Sequence, residues 1–396
     1  MTILLVLTGK NILNMEYKSL LIIGLVNQDN QILGDTLHFN GLRKYLSSKN
    51  KNNTYSISIS NKNKNSKEDY FINHPQNKIF RFIYWNFSIC FISFYLFCTK
   101  KIDLVYFRFS KNQILLPIIL FLFNKKYAVE INGITENETK FQKFTKKWIL
   151  HRSKFVFGAP GYMQHVIKVY NVENKKTHPV SLGYDFKNAI LHDIDKVSNE
   201  LNLPSENLYF IFIGNIQSYQ GLSNIIHAIG ENKELLPKDI RILIIGDGPE
   251  ENSIKKLVSQ YSLSHICDFI PRQSKGQLEK YLSLKSIGLS PFCENRGLKG
   301  SISGLKTFDY LSHKMPILTS VMDEKAFMIE KDEIGWVIDT FENQYIFDLI
   351  LKAYEEYGTK SENLKAKYNF YRNEFTWERR FSKIFYVLNN SVNNEC

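Results

Sequence analysis

Residues Pro291–Ser320 read PFCENRGLKGSISGLKTFDYLSHKMPILTS, and the order of residue types in this stretch decides the fold class. The run Ile287–Ser290 ahead of it has strand character, Gly297, Gly300 and Gly304 make a glycine-rich loop, and a helical pattern follows directly. A loop of this kind between a strand and a helix aims backbone N–H groups and a helix N-terminus at phosphate. Lys306 falls in the first helical turn, where the helix dipole opposes a cation, so a bound anion accounts for it better than helix stability does. Asp309 lies three residues on, on the same helical face, and a carboxylate there can accept two hydroxyls, as from a ribose. A solvated Lys306/Asp309 pair after an ordinary loop is the plainer alternative.

Outward from this stretch the same rhythm continues in both directions. Tyr209–Ile213, Ile240–Ile245, Cys267–Phe269, Ile287–Ser290, Ile317–Thr319 and Trp336–Ile338 read as short strands separated by helical segments of about ten residues. An earlier series runs through Leu20–Val26, Thr54–Ser60, Asp103–Phe107, Tyr127–Ile131 and Phe155–Gly158, with helices expected at Asp35–Ser48 and Gln113–Phe123. Alternation of this kind implies α/β architecture: two doubly wound parallel sheets, covered on both faces, with ligands beyond the carboxyl ends of the strands. The polar stretch Lys187–Leu208 shows no strand and reads as the linker. The expected organisation is therefore 1–190, with 1–16 a possible extension, then 191–375, then a helix within 376–396 that packs back toward the first domain. Two such domains joined once leave a central cleft, a preferred ligand site. Gly246-Asp-Gly-Pro249 lacks a third glycine and reads as a tight turn, with Pro249 at a helix start, not as a dinucleotide fingerprint.

With 396 residues, 44% hydrophobic and 23% charged, the chain has ordinary globular composition, which excludes collagen-like, coiled-coil and wholly disordered classes. Cys90, Cys98, Cys267, Cys293 and Cys396 are odd in number and lack C-x-x-C spacing, which argues against a disulfide framework and a zinc site and for a reducing compartment. Charge is unevenly divided: residues 1–190 carry 27 Lys and Arg against 11 Asp and Glu, and the remainder 24 against 28. A basic half can meet an anionic membrane surface or a phosphorylated substrate; no nucleic-acid-binding signature accompanies it. A general abundance of Lys and Asn is the alternative. The segment Phe82–Thr99 is uncharged for 18 residues between Arg81 and Lys100–Lys101. It fits a buried or half-buried domain helix, an interfacial helix or a membrane span, and a span would cut one sheet in two. Met1–Gly9 is apolar but lacks a basic flank and a cleavage site, so it makes a poor signal peptide.

Gly304-Leu-Lys-Thr-Phe-Asp309 followed by Met315-Pro316-Ile resembles the donor-site segment of the family 4 glycosyltransferases of GT-B fold, in the form seen in bacterial surface-polysaccharide assembly. Gly214-Asn-Ile-Gln217 with Gln220-Gly221, Gly246-Asp-Gly-Pro249, Gly183-Tyr-Asp185 and Glu130-Ile-Asn-Gly133 resemble further segments of that family in the same order, so the likeness covers the chain from about residue 20. The resemblance implies that Lys306 contacts a donor pyrophosphate, that Asp309 holds ribose hydroxyls, and that Gly34 approaches the sugar phosphate. It places Asn215, Gln220, Gly221, Lys299, Gly300, Ser301, Gly304 and Leu305 in the donor site, with the nucleobase near Pro271–Arg272. Three departures stand out. Ser301 occupies the position of the family's first carboxylate, for which Glu294 is a substitute by a different loop path; Asn215 and Gln220 replace Arg and Lys, with Lys299 and Arg296 as compensating charges. Asn132 stands where the family often has an acceptor-side histidine, and Glu130 is the acidic candidate there, with a strand-end residue salt-bridged to a lysine as the alternative.

The resemblance implies a retaining glycosyltransferase of hexosyltransferase type. It would move a sugar from a nucleotide diphosphate donor to a saccharide or lipid-pyrophosphate-linked acceptor in capsule or lipopolysaccharide assembly. No metal and no cofactor are expected beyond the nucleotide-sugar co-substrate, since lysine and a helix N-terminus stabilise the leaving diphosphate. The expected setting is cytoplasmic or peripheral at the inner membrane face. A sugar-nucleotide epimerase of the same architecture and a catalytically inactive nucleotide-sugar-binding homologue are the alternatives.

Overall fold

The strand Leu208–Ile213, LYFIFI, is buried at every position, because a parallel strand covered by helices on both faces has no side left for water. Its side chains alternate between two apolar layers: Leu208, Phe210 and Phe212 enter one, and Tyr209, Ile211 and Ile213 the other. The computed structural model describes residues 19–29, 34–48, 53–63, 65–110, 113, 115–131, 138–186, 189–293 and 299–390. Contacts divide the chain into two compact units, one of residues 1–129, 153–155 and 381–396, the other of residues 130–152 and 156–380.

The first series of strands is β1 (Leu20–Asn27), β2 (Thr54–Ile59), β3 (Asp69–Ile72), β4 (Leu104–Arg108), β5 (Tyr127–Ile131), β6 (Phe155–Gly158) and β7 (Thr177–Pro179). They form a seven-stranded sheet in the order β3-β2-β1-β4-β5-β6-β7. The helices are α1 (Gly34–Ser48), α2 (Lys78–Thr99), α3 (Leu116–Leu122), α4 (Lys140–Arg152) and α5 (Pro160–Tyr170). Strands β3 and β7 are additions to the sequence reading. At four and three residues they are too short and too polar for periodicity to reveal, and both sit on sheet edges. Helix α2 joins β3 to β4 within one parallel sheet, so it is a crossover helix, and a membrane span at this place would separate strands that share hydrogen-bonded neighbours.

The second series starts inside the expected linker, where α6 (Ile194–Leu201) is capped by Asp193, whose side chain accepts the Lys196 N–H at 3.0 Å. The six strands β8 (Leu208–Ile213), β9 (Ile240–Ile245), β10 (Cys267–Ile270), β11 (Ser286–Ser290), β12 (Ile317–Ser320) and β13 (Gly335–Ile338) form a sheet in the order β10-β9-β8-β11-β12-β13. Their bounds match the sequence reading to within one residue. Between them run α7 (Leu222–Glu231), α8 (Glu251–Gln260), α9 (Lys275–Leu282), α10 (Leu305–Ser312) and α11 (Ala326–Lys331), followed by the 32-residue α12 (Asn343–Glu374) and by α13 (Trp377–Asn390). The turn at Gly246–Pro249 precedes α8, which starts two residues after Pro249. The order reverses between β8 and β11, the kind of switch point at which doubly wound sheets bind ligands.

Candidate functional site

Helix α10 is anchored by its middle. The Tyr310 ring packs over Gly288 of β11, where any Cβ would collide with it. Its hydroxyl accepts the Ile213 N–H (3.2 Å) and lies 3.0 Å from the carbonyls of Ile211 and Leu289. That fixes the helix against the ends of β8 and β11 and points its N-terminus past them. Gly304 is the N-cap with no side chain to accept the first N–H groups, which leaves them available to an anion.

Lys306, in the first turn, is 8% exposed, and among the described residues its ammonium has no hydrogen-bond partner. It lies 3.9 Å from the centre of the Phe212 ring and 5.1 Å from that of Phe292. Burial holds its pKa far below the usual lysine range, at about 7, against a weaker opposing pull from Asp323. A buried cation without a partner is expensive, and cation–π contact recovers only about 1–2 kcal/mol of that cost. Nearby charges are by contrast internally paired: Asp323 accepts from the Thr307 hydroxyl (2.7 Å) and lies 3.5 Å from the Lys325 ammonium.

Asp309 sits one turn further on. The Tyr184 hydroxyl donates to its Oδ1, and burial raises its pKa to about 6, an effect that this hydrogen bond and Lys275 oppose. The Tyr184 ring stacks on Phe308 at 5.8 Å. Tyr184 lies 125 residues from Asp309 in sequence, so no local spacing points to this pairing.

Two loops flank the α10 N-terminus. In the one after β8, Gly221 adopts φ +71, and a Cβ there would strike the Pro291 carbonyl oxygen, so glycine is required on both grounds. Cys293 joins this loop to the strand end: its N–H donates to the Tyr219 carbonyl at 3.0 Å. Gln220 is buried, its side-chain oxygen has no partner among the described residues, and Asn215 lies in the same loop. Ser301 is buried too, and its hydroxyl has no partner among the described residues. Just before it, the Gly300 N–H donates to Val321 (2.8 Å) while its carbonyl accepts from Gly161 (3.0 Å); Lys299 is exposed. Lys306, Leu305, Gly304, Ser301, Gly300, Lys299, Gln220 and Gly221 thus belong to connected segments.

The remaining candidates stand differently. Arg272 forms a two-point pair with Asp247 (2.7 and 3.1 Å) at an exposed position, which holds the carboxyl below and the guanidinium above their ordinary values. Asp247 belongs to the turn whose backbone carbonyl accepts the Ile216 N–H (2.8 Å), so Arg272 is tied to the loop after β8. Gly34 is the first residue of α1 and not part of a loop. Glu130 is fully buried and ion-paired with Arg380 at 2.6 Å. Arg380 also donates to the carbonyls of Val180 (3.1 Å) and Ser181. The arrangement is that of the ion-paired strand-end alternative, with Arg380 and not the expected lysine as the partner. Asn132, Glu294 and Arg296 lie outside the described residues. A pocket of about 250 Å³ is lined by Gln217, Ser218, Leu222, Glu250, Cys293 and Phe341 among others, and neither Lys306 nor Asp309 lines it.

The seven- and six-stranded parallel sheets define a protein of GT-B fold. Sucrose-phosphate synthase from Thermosynechococcus elongatus superimposes with a TM-score of 0.73 at 12% identity over 95% of this chain and 100% of that one. Anabaena Alr3699/HepE in complex with UDP gives 0.70 at 12% identity over 93% and 99%. Residues 193–370 match the family of glycosyl transferases group 1. The putative colanic acid biosynthesis glycosyl transferase WcaI of Escherichia coli (strain K12) is 28% identical over 157 residues, which are 39% of this chain and 35% of WcaI. The chain therefore matches about a third of the length of that relative.

Proposed function

We propose that the protein is a retaining glycosyltransferase that moves a hexose from a nucleotide diphosphate donor to a saccharide or lipid-pyrophosphate-linked acceptor in cell-surface polysaccharide assembly. The observation that carries this reading is the buried Lys306 ammonium in the first turn of α10, without a partner among the described residues and beside a helix N-terminus without a side-chain cap. A diphosphate placed there receives the charge that Lys306 otherwise buries uncompensated, and the free N–H groups of α10 reach the same oxygens. As the donor's glycosidic C–O bond breaks, negative charge accumulates on the leaving diphosphate, and Lys306 stabilises it in the way a divalent ion does elsewhere. Asp309, held by Tyr184, faces the ribose hydroxyls; Gln220 and Ser301 offer two further unsatisfied polar groups; Arg272 and Asp247 flank the base. Glu130 holds Arg380 in this scheme, and the acceptor-side role passes to Asn132.

WcaI supports the process, and the UDP bound to HepE supports the donor class. With a lipid-pyrophosphate-linked acceptor the reaction would run at the inner face of the cytoplasmic membrane. Calorimetric titration of the purified protein with UDP, GDP, ADP and CMP, beside the Lys306→Ala variant, tests the reading. Selective binding of one nucleoside diphosphate, lost in the variant, is the expected result. No binding of any of them sinks the transferase reading and brings the inactive-homologue alternative forward.

A further inference from the structure

Helix α2 buries Trp85, Asn86, Ile89, Ser93, Leu96 and Phe97 on its inner face, as a crossover helix must. Its opposite face is the unusual one. An outer face of such a helix is ordinarily polar, yet Phe80, Ile83, Phe87, Phe91, Phe94 and Tyr95 are all exposed, with Phe91 at 73%. Between Arg81 and Lys100 the helix has no charged residue. Helix α3 extends this surface. The Leu115 N–H donates to Asn86 Oδ1 (3.1 Å) and Phe123 packs edge-on against Phe94 at 5.5 Å, which sets Ile118, Phe121 and Leu122 beside α2, Leu122 being 71% exposed. Lys78, Arg81, Lys100, Lys101, Lys125 and Lys126 stand at the ends of the two helices.

We infer that the outer faces of α2 and α3 are a membrane-docking surface that enters the interface of an anionic lipid bilayer. Three features choose this occupant. Tyr95 carries the one hydroxyl among the exposed apolar residues named here, whereas a protein partner would ask for about one hydrogen bond per 100–200 Å². Phenylalanine and tyrosine favour the headgroup boundary, and helix α2 is long and apolar enough to satisfy a bilayer while its other face stays bound to the sheet. Six basic residues at the ends attract anionic headgroups, each basic side chain near the surface adding about fivefold in partition. A second copy of this chain meeting face to face would oppose the same six charges with no acid between them. The surface deepens the reading above by naming what would hold the enzyme near a lipid-linked acceptor, but nothing in it depends on the donor site.

The test is co-sedimentation of the full-length protein with vesicles of phosphatidylcholine alone and of phosphatidylcholine with phosphatidylglycerol. The wild type is expected to bind the anionic vesicles at least tenfold more strongly. The double variant Phe87→Glu/Phe91→Glu should lose at least tenfold, as should Lys100→Glu/Lys101→Glu on anionic vesicles, whereas Phe327→Glu, at a 75% exposed site in the other unit, should bind like the wild type. Nucleotide titration of the same variants should match the wild type, which separates a failure of this proposal from a failure of the donor-site reading. Equal binding by wild type and Phe87→Glu/Phe91→Glu, or absence of wild-type binding to anionic vesicles, overturns it. A dimer by light scattering that this double variant renders monomeric overturns it too.

Discussion

Replacing Lys306 by methionine keeps the volume of the side chain and removes its charge, so stability and ligand binding should move in opposite directions. At about 1.4 kcal/mol per pK unit, the depression from 10.5 to about 7 corresponds to about 5 kcal/mol held against the empty protein. Cation–π contact with Phe212 and Phe292 offsets about 1–2 kcal/mol, leaving a net stabilisation of Lys306→Met of about 3 kcal/mol. For a unit of this size that is about 6–12 °C in Tm. The sign follows from proton binding. Below pH 7 the lysine is charged in both folded and unfolded chains and the full penalty is present; between pH 7 and 10.5 only the unfolded chain keeps the proton, so wild-type stability rises with pH. The variant's advantage should therefore be full at pH 6 and fall to about 2 kcal/mol or less by pH 9. The same substitution removes a charge-assisted contact to diphosphate, worth about 1.5–3 kcal/mol, or about 10–100-fold in Kd. Scanning calorimetry at the two pH values, with nucleotide titration alongside, measures both. A variant that is less stable at pH 6 and binds nucleotide like the wild type would refute the reasoning and make Lys306 a structural group.

Nucleotide binding above pH 7 should draw a proton onto Lys306, because the bound diphosphate raises its pKa; titrations at pH 8 in buffers of different ionisation enthalpy would register that uptake. Asp309, raised to about 6 by burial, keeps its proton in the folded chain between about pH 4 and 6, where the unfolded chain has lost it. Stability should thus fall as pH rises through this window, and Asp309→Asn should flatten that slope while weakening nucleotide binding, as chemical denaturation and calorimetry would read. Arg380→Met takes the arginine away from the buried Glu130 carboxylate and should cost about 3–5 kcal/mol, whereas adding Glu130→Gln should restore most of the loss. Sugar transfer by the double variant near the wild-type rate would confine Glu130 to a positioning role. Gly221→Ala should lower Tm and nucleotide affinity together, because a Cβ at φ +71 meets the Pro291 carbonyl and shifts both loops beside α10.

Much of this protein was legible in its sequence for a physical reason: local patterns encode local structure. Strand β8 is buried at every position and therefore appears as an unbroken apolar run, and the glycine loop before Lys306 is contiguous, so both could be read directly. The order of the segments that resemble glycosyltransferases was visible for the same reason, and the match of residues 193–370 agrees with it. What only the tertiary structure decided depends on residues distant in the chain. Whether Lys306 is solvated or buried between Phe212 and Phe292, whether Asp309 is free or held by Tyr184, and whether Glu130 is available or locked by Arg380 are matters of packing, and no spacing encodes them. The Phe82–Thr99 segment is the clearest instance. Its composition permits a core helix, an interfacial helix or a span, and the pairing of β3 and β4 through β2 and β1 makes it a crossover helix with one face bound and one apolar face outward, because a continuous hydrogen-bonded sheet cannot lie on both sides of a bilayer.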